Sequence, residues 1–209
     1  MPVFSILYFI WSYKTLLFWL FSYIQFYCTL KWKNCKHFLL RKEKIMKQKD
    51  HILLLVRGAI FAALIFVATR FLSIPLPGVG YVHLGDALLF VAATLLPRPY
   101  AIGAAIIGAG LADLTAGFAV YLPATILIKG LTAALFTNQG KRMLCLRNLL
   151  ALPFALLLCA GGYFIFEWAL YGLSAATPSI LFNCLQILAS AVIYLPIATV
   201  LDHRRLHLK

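Results

Sequence analysis

The chain has 209 residues, of which 63% are hydrophobic and only 12% charged, and its mean hydropathy is +0.92. Soluble domains are roughly half apolar and about a quarter charged, so this composition excludes a soluble globular protein, a disordered chain and a secreted disulfide scaffold. The formal net charge is +13, but the basic residues sit at the ends of apolar runs, which is the pattern of cytoplasmic loops beside anionic membrane lipid and not of a nucleic-acid surface. At about 20 apolar residues per span, the expectation is an all-α polytopic membrane protein.

Residues 1–45 contain no Gly, Ala or Asp and are crowded with aromatic residues, Lys, Leu and Ile. Val3–Cys28 is apolar enough to span, which would make a seventh helix. It resembles a signal segment less, because no small-residue cleavage site follows. The composition favours a third reading, in which residues 1–45 are translated non-coding sequence and the protein starts at Met46, leaving 46–209 as the membrane domain.

From Ile52 the apolar runs are cut by charges and by Pro/Gly clusters. Helix 1 is expected over 52–72. A loop over 73–83 follows, with Pro75, Pro77, Gly78 and Gly80. A short helix 2 is expected over 84–96, then a tight turn at Pro97-Arg98-Pro99. Helices 3 and 4 are expected over 100–118 and 121–137, and a basic loop over 138–148. Helix 5 should cover 149–171, a polar turn with Pro178 172–179, and helix 6 180–201. Lys47, Lys49, Arg57, Arg98, Lys141, Arg142, Arg147, Arg204, Arg205 and Lys209 all fall on one set of connections. The segments 73–83, 119–120 and 172–179 have no Lys or Arg, so both ends of the six-helix core are expected in the cytoplasm. Arg70 is the exception. No internal repeat is evident, which argues against an inverted-repeat transporter.

Helix 3 is rich in small residues; Ala104 and Gly108, or Ala105 and Ala109, have the spacing that lets helix backbones approach closely. Ala59 and Ala63 on helix 1 share that spacing, and packing within the bundle is the plain reading of both.

Ionisable residues inside apolar spans are costly, so they face the bundle interior, water or a partner charge. Asp113 and Lys129 are expected to pair across the short 119–120 turn as a structural lock. Asp86 opens helix 2, where a carboxylate suits the helix dipole. Glu167 and Tyr171 on helix 5 and Asn183 and Gln186 on helix 6 converge near the outer end, either as ordinary interhelical hydrogen bonding or as a ligand pocket. His83, beside the outer loop, reads as interfacial rather than catalytic. The sequence has no G-x-S-x-G, H-E-x-x-H or P-loop. The five cysteines form no C-x-x-C pair and no zinc spacing. No cofactor, metal or catalytic residue is therefore expected.

Three stretches carry a family resemblance: 81–90 (YVHLGDALLF), 108–114 (GAGLADL) and 123–130 (PATILIKG). Together with Glu167-x-x-x-Tyr171-Gly172 and Asn183-x-x-Gln186 they resemble the substrate-binding (S) components of energy-coupling factor (ECF) vitamin transporters, riboflavin-type subgroup, over about 56–202. The resemblance implies a six-helix subunit of a bacterial-type cell membrane that captures a vitamin or vitamin precursor outside. It also implies docking on a transmembrane coupling protein with two ATP-binding subunits, and it matches Ala59-Ile-Phe-Ala-Ala63 to the docking pattern of such proteins. Glu167, Tyr171, Asn183, Gln186 and His83 are then the expected substrate-binding residues. The competing functions are a stand-alone secondary transporter and a membrane-embedded enzyme. The vitamin itself is left open among riboflavin, pyridoxine, a thiamine precursor and related compounds.

Overall fold

The computed structural model describes residues 48–76, 80–140 and 142–207. The expectations for residues 1–45, for a start at Met46, and for Lys47, Pro77, Gly78, Lys141 and Lys209 lie outside the described residues. The chain divides into two units, residues 1–52 and 53–209.

Among the described residues, six helices are connected by one hairpin, short turns and a longer loop over 136–145. Helix α1 is Gln48–Phe71. An antiparallel hairpin of β1 (Ser73–Leu76) and β2 (Gly80–His83) follows, with Ser73 opposite His83 and Pro75 opposite Tyr81. Both strands are edges of a two-stranded sheet, so the N–H that Pro75 lacks costs little pairing. Helices α2 (Gly85–Leu95), α3 (Arg98–Ala116), α4 (Leu122–Leu135), α5 (Leu146–Tyr171) and α6 (Leu173–His207) complete the order, with a 3-10 turn at Ala119–Tyr121 before α4.

Local sequence explains the boundaries. Helix α3 starts at the Pro97-Arg98-Pro99 turn, where proline fits the first helical turn. It stops at Gly117, whose φ of 85° is left-handed and whose N–H returns to the α3 carbonyls. Gly172, also at φ 85°, is the whole connection between α5 and α6. The polar turn expected over 172–179 is therefore a single residue, and Pro178 lies inside α6. Pro178 is the sixth residue of α6, past the N–H groups that a helix start leaves free, so the ladder lacks the bond that the Ser174 carbonyl would otherwise accept.

Helices α1, α3, α5 and α6 are long and apolar enough to cross a membrane, and α2 and the 119–135 segment are shorter apolar helices. Large side chains face outward, among them Val56, Ile60, Leu157, Leu181 and Val192, while the interior is filled by alanine: Ala92, Ala105, Ala112, Ala155 and Ala198 are all buried. Small residues inside let helices approach where lipid supplies no hydrophobic drive. Helix α2 is buried around nearly its whole circumference. It forms the centre of the bundle, packing on α3, α4 and α6.

Candidate functional site

The hairpin and the adjoining ends of α3, α4, α5 and α6 enclose one polar cavity. The enclosed volume is about 50 Å³, and the space widens to about 490 Å³ when its open mouth is included. The hairpin contributes Tyr81 and His83, two positions apart on β2 and so on one strand face. Asp113 comes from the last turn of α3, and Tyr121 and Thr125 from one face at the start of α4. Tyr163 and Glu167 lie one turn apart on α5, and Ser179, Asn183 and Gln186 recur along one face of α6.

Beneath the cavity a buried polar network joins α2, α4, α6 and the hairpin. Lys129 Nζ donates to Asp86 Oδ1 at 2.8 Å and Oδ2 at 2.9 Å. This corrects the expected pairing of Lys129 with Asp113, and it gives Asp86 a role beyond helix capping: its carboxylate points to its cationic partner. Gln186 Nε2 donates to Asp86 Oδ2 at 2.7 Å, and Gln186 Oε1 accepts the His83 backbone N–H at 3.2 Å. Both ends of that amide are thus taken by protein, and Gln186 ties the hairpin to the ion pair.

The Gly85 N–H donates to His83 Nδ1 at 3.2 Å. A neutral ring then carries its proton on Nε2, which touches the Gln186 nitrogen at 3.4 Å, donor against donor. Burial pushes the His83 imidazole, on the hairpin outside the helical spans, down to about 4, although Asp86 pulls it upward.

The walls repeat one motif. Tyr81 Oη donates to Asp113 Oδ1, and Tyr121 Oη donates to Glu167 Oε1 at 3.3 Å. In each carboxylate the second oxygen, Asp113 Oδ2 and Glu167 Oε2, is buried and has no hydrogen-bond partner. Asn183 donates to the Ser179 carbonyl at 2.9 Å and meets the Cys159 thiol at 3.7 Å, which leaves one N–H and most of its acceptor capacity open. Of the five expected pocket residues, Glu167, Asn183, Gln186 and His83 line the cavity. Tyr171 does not; it is half exposed at the end of α5, with its ring 6.5 Å from that of Tyr121.

Sequence reasoning missed the aromatic walls, Tyr81, Tyr121 and Tyr163, with Phe118 and Phe182 beside them. Tyr163 was accessible from spacing, since it lies four residues before Glu167 on α5. Tyr121 and Thr125 share a face with Lys129 by the same rule.

A second feature lies on the outer face of α1 and α3. Gly58, Ala62, Ile65 and Thr69 turn inward, and a Cβ on Gly108 would lie 2.6 Å from the Ala62 carbonyl oxygen, so α1 and α3 touch backbone to backbone there. Ala59 and Ala63 are exposed and line a shallow apolar groove with Gly103, Ala104 and Ile107. Packing within the bundle therefore explains Ala62 and Gly108 but not Ala59 and Ala63.

A multi-pass helical bundle with a polar cavity at one end is the architecture of a membrane transport component. The family profile of the ECF-type riboflavin transporter, S component, matches residues 49–203, and the chain belongs to that family. It is 32% identical over 157 residues, 72% of this chain and 87% of the relative, to the protein named thiamine precursor transporter HmpT of Lactococcus lactis subsp. cremoris (strain MG1363). The family and this relative are transporter components, so the chain is a vitamin-transporter S subunit rather than an enzyme.

Proposed function

We propose that this protein captures a small ring-shaped vitamin or vitamin precursor at the hairpin end of the bundle, outside the cell membrane, and delivers it inward with a separate ATP-driven module. The carrying observation is the hairpin-capped cavity, walled by three tyrosines and holding buried carboxylate oxygens without protein partners. Unpaired buried polar atoms are costly, and a ligand that satisfies them would offset that cost. Flat aromatic walls suit a flat ring. The likeness to a thiamine precursor transporter favours a thiamine precursor among the candidate ligands.

The connections at the hairpin end, 72–84, 117–121 and 172, contain no Lys or Arg, whereas Arg142 lies on an opposite connection and Arg98 and Arg147 in the first turns of the helices that start there. The positive-inside rule then places the hairpin outside and both ends of the core in the cytoplasm. On this reading Ala59 and Ala63 form the face that meets the transmembrane coupling protein, which in turn carries two ATP-binding subunits. The exposure of both alanines on a groove of small residues supports that assignment.

The test is uptake of labelled thiamine precursor, pyridoxine and riboflavin by cells that express the chain with or without an ECF module. Uptake that requires the module supports the proposal. Uptake by the chain alone would make it a stand-alone secondary transporter.

A further inference from the structure

The cavity has an unbalanced charge. Its two ionisable acids, Asp113 and Glu167, are 6% and 3% exposed, and no Lys or Arg is among its described lining residues. Lys129, the nearest buried cation, lies below, with its ammonium held by both oxygens of Asp86. His83, the remaining basic side chain, is uncharged near neutral pH because burial holds its imidazole near 4. Each acid already accepts a phenolic hydrogen on one oxygen, and each keeps a second buried oxygen without a partner.

Ser179, beside Glu167, donates to the Ala176 carbonyl at 2.9 Å, and Thr125, beside Asp113, lies 3.0 Å from the Tyr163 hydroxyl, with either group able to donate. Two acceptor oxygens in a low-dielectric enclosure favour a positive charge or a pair of N–H donors and oppose a second anion. The rings of Tyr81 and Tyr121 add attraction for a cationic ring, while Tyr163 already lies 5.6 Å from the Lys129 ammonium.

We propose that this cavity selects an amine-bearing or cationic heteroaromatic ring, with Glu167 Oε2 and Asp113 Oδ2 accepting its N–H donors, and rejects ring ligands that present a carboxylate or only carbonyl oxygens. The proposal rests on the reading of this cavity as the capture site.

The test is binding to the full-length protein in lipid nanodiscs, followed by calorimetry and by ligand-induced rise in melting temperature. One probe set is pyridoxamine, pyridoxine and 4-pyridoxic acid, which place an aminomethyl, hydroxymethyl or carboxylate group on one ring. A second is 2-methyl-4-aminopyrimidine against its 4-oxo counterpart, with riboflavin and thiamine alongside. The amine member of at least one set should bind ten- to a hundred-fold more tightly than its neutral partner, and the acid should not bind. Glu167→Gln and Asp113→Asn should shrink that preference in protein that still melts as the parent does.

Oxo, hydroxymethyl or acid members binding as tightly as the amines would overturn the ligand class and leave the capture reading intact. If no member bound up to millimolar concentration, the capture reading would fall with it. The wild-type comparison stands even if a variant fails to fold.

Discussion

Asp86 and Lys129 lie 43 residues apart in the chain and meet as a two-pronged ion pair, each side chain 1% exposed. Charges this deep are tolerated because each neutralises the other and because Gln186 supplies a further donor to Asp86. Helix α2, the centre of the bundle, is thereby tied to α4 and α6, and the same Gln186 holds the strand that covers the cavity.

Removing one member should therefore be worse than removing both. Lys129→Met leaves a buried carboxylate without its counter-charge and should cost about 3–5 kcal/mol of stability. The double variant Asp86→Leu with Lys129→Met should recover much of that. The melting temperatures of the two variants in one detergent check this; equal losses would mean that the pair does not act as a unit.

Asn183 and Gln186 share a helical face but should respond differently. The sequence leads one to expect that both serve the ligand and leave the empty protein unaffected. The hydrogen bonds separate them. Gln186→Ala strips a donor from Asp86 and the acceptor from the His83 N–H, so ligand-free stability should fall by about 1–3 kcal/mol together with affinity. Asn183→Ala breaks only a bond to its own helix and a thiol contact. Its affinity for ligand should weaken about ten- to a hundred-fold, using about 1.4 kcal/mol per tenfold, with melting nearly unchanged.

The groove on α1 and α3 gives a prediction that leaves the cavity untouched. Ala59→Trp or Ala63→Trp adds bulk to an exposed small-residue face, which should hold a docking helix away. Uptake and co-purification with the coupling protein should be lost while ligand affinity is retained. Retention of all three would place the docking surface elsewhere.

His83 predicts how stability depends on acidity. Its imidazole titrates near 4 when folded and near 6.5 when unfolded. Between those values the unfolded state binds a proton that the folded state does not, so stability falls as pH drops from about 6.5 to about 4 and is flat with respect to this group above 6.5. Melting of the empty protein measured from pH 8 to pH 4, compared with His83→Gln, should show that slope in the parent and a shallower one in the variant.

The helix count and most boundaries were legible because charges and Pro/Gly clusters end apolar runs. The start of α6 was not. Pro178 reads as a breaker in sequence, yet it lies in the first turns of the helix, and Gly172 alone makes the corner. The partner of Lys129 was misjudged because two aspartates, Asp86 and Asp113, lie in or beside the apolar spans before it and periodicity cannot say which one faces it. Asp113 is closer along the chain, but its carboxylate is turned to Tyr81 on the hairpin, a contact between strand and helix that no local spacing encodes. Glu167, Asn183 and Gln186 were readable as polar residues inside apolar spans. Tyr171 was misplaced because the correct spacing carries it past the cavity to the exposed helix end.

The most direct measurement of the central claim is mass spectrometry of small molecules released from the full-length protein, purified without added vitamin. The account predicts one nitrogen-containing ring compound at close to one per chain, greatly depleted in Asn183→Ala purified in parallel. Protein that carries no such compound, and whose melting is unmoved by any ring vitamin offered afterwards, would contradict it.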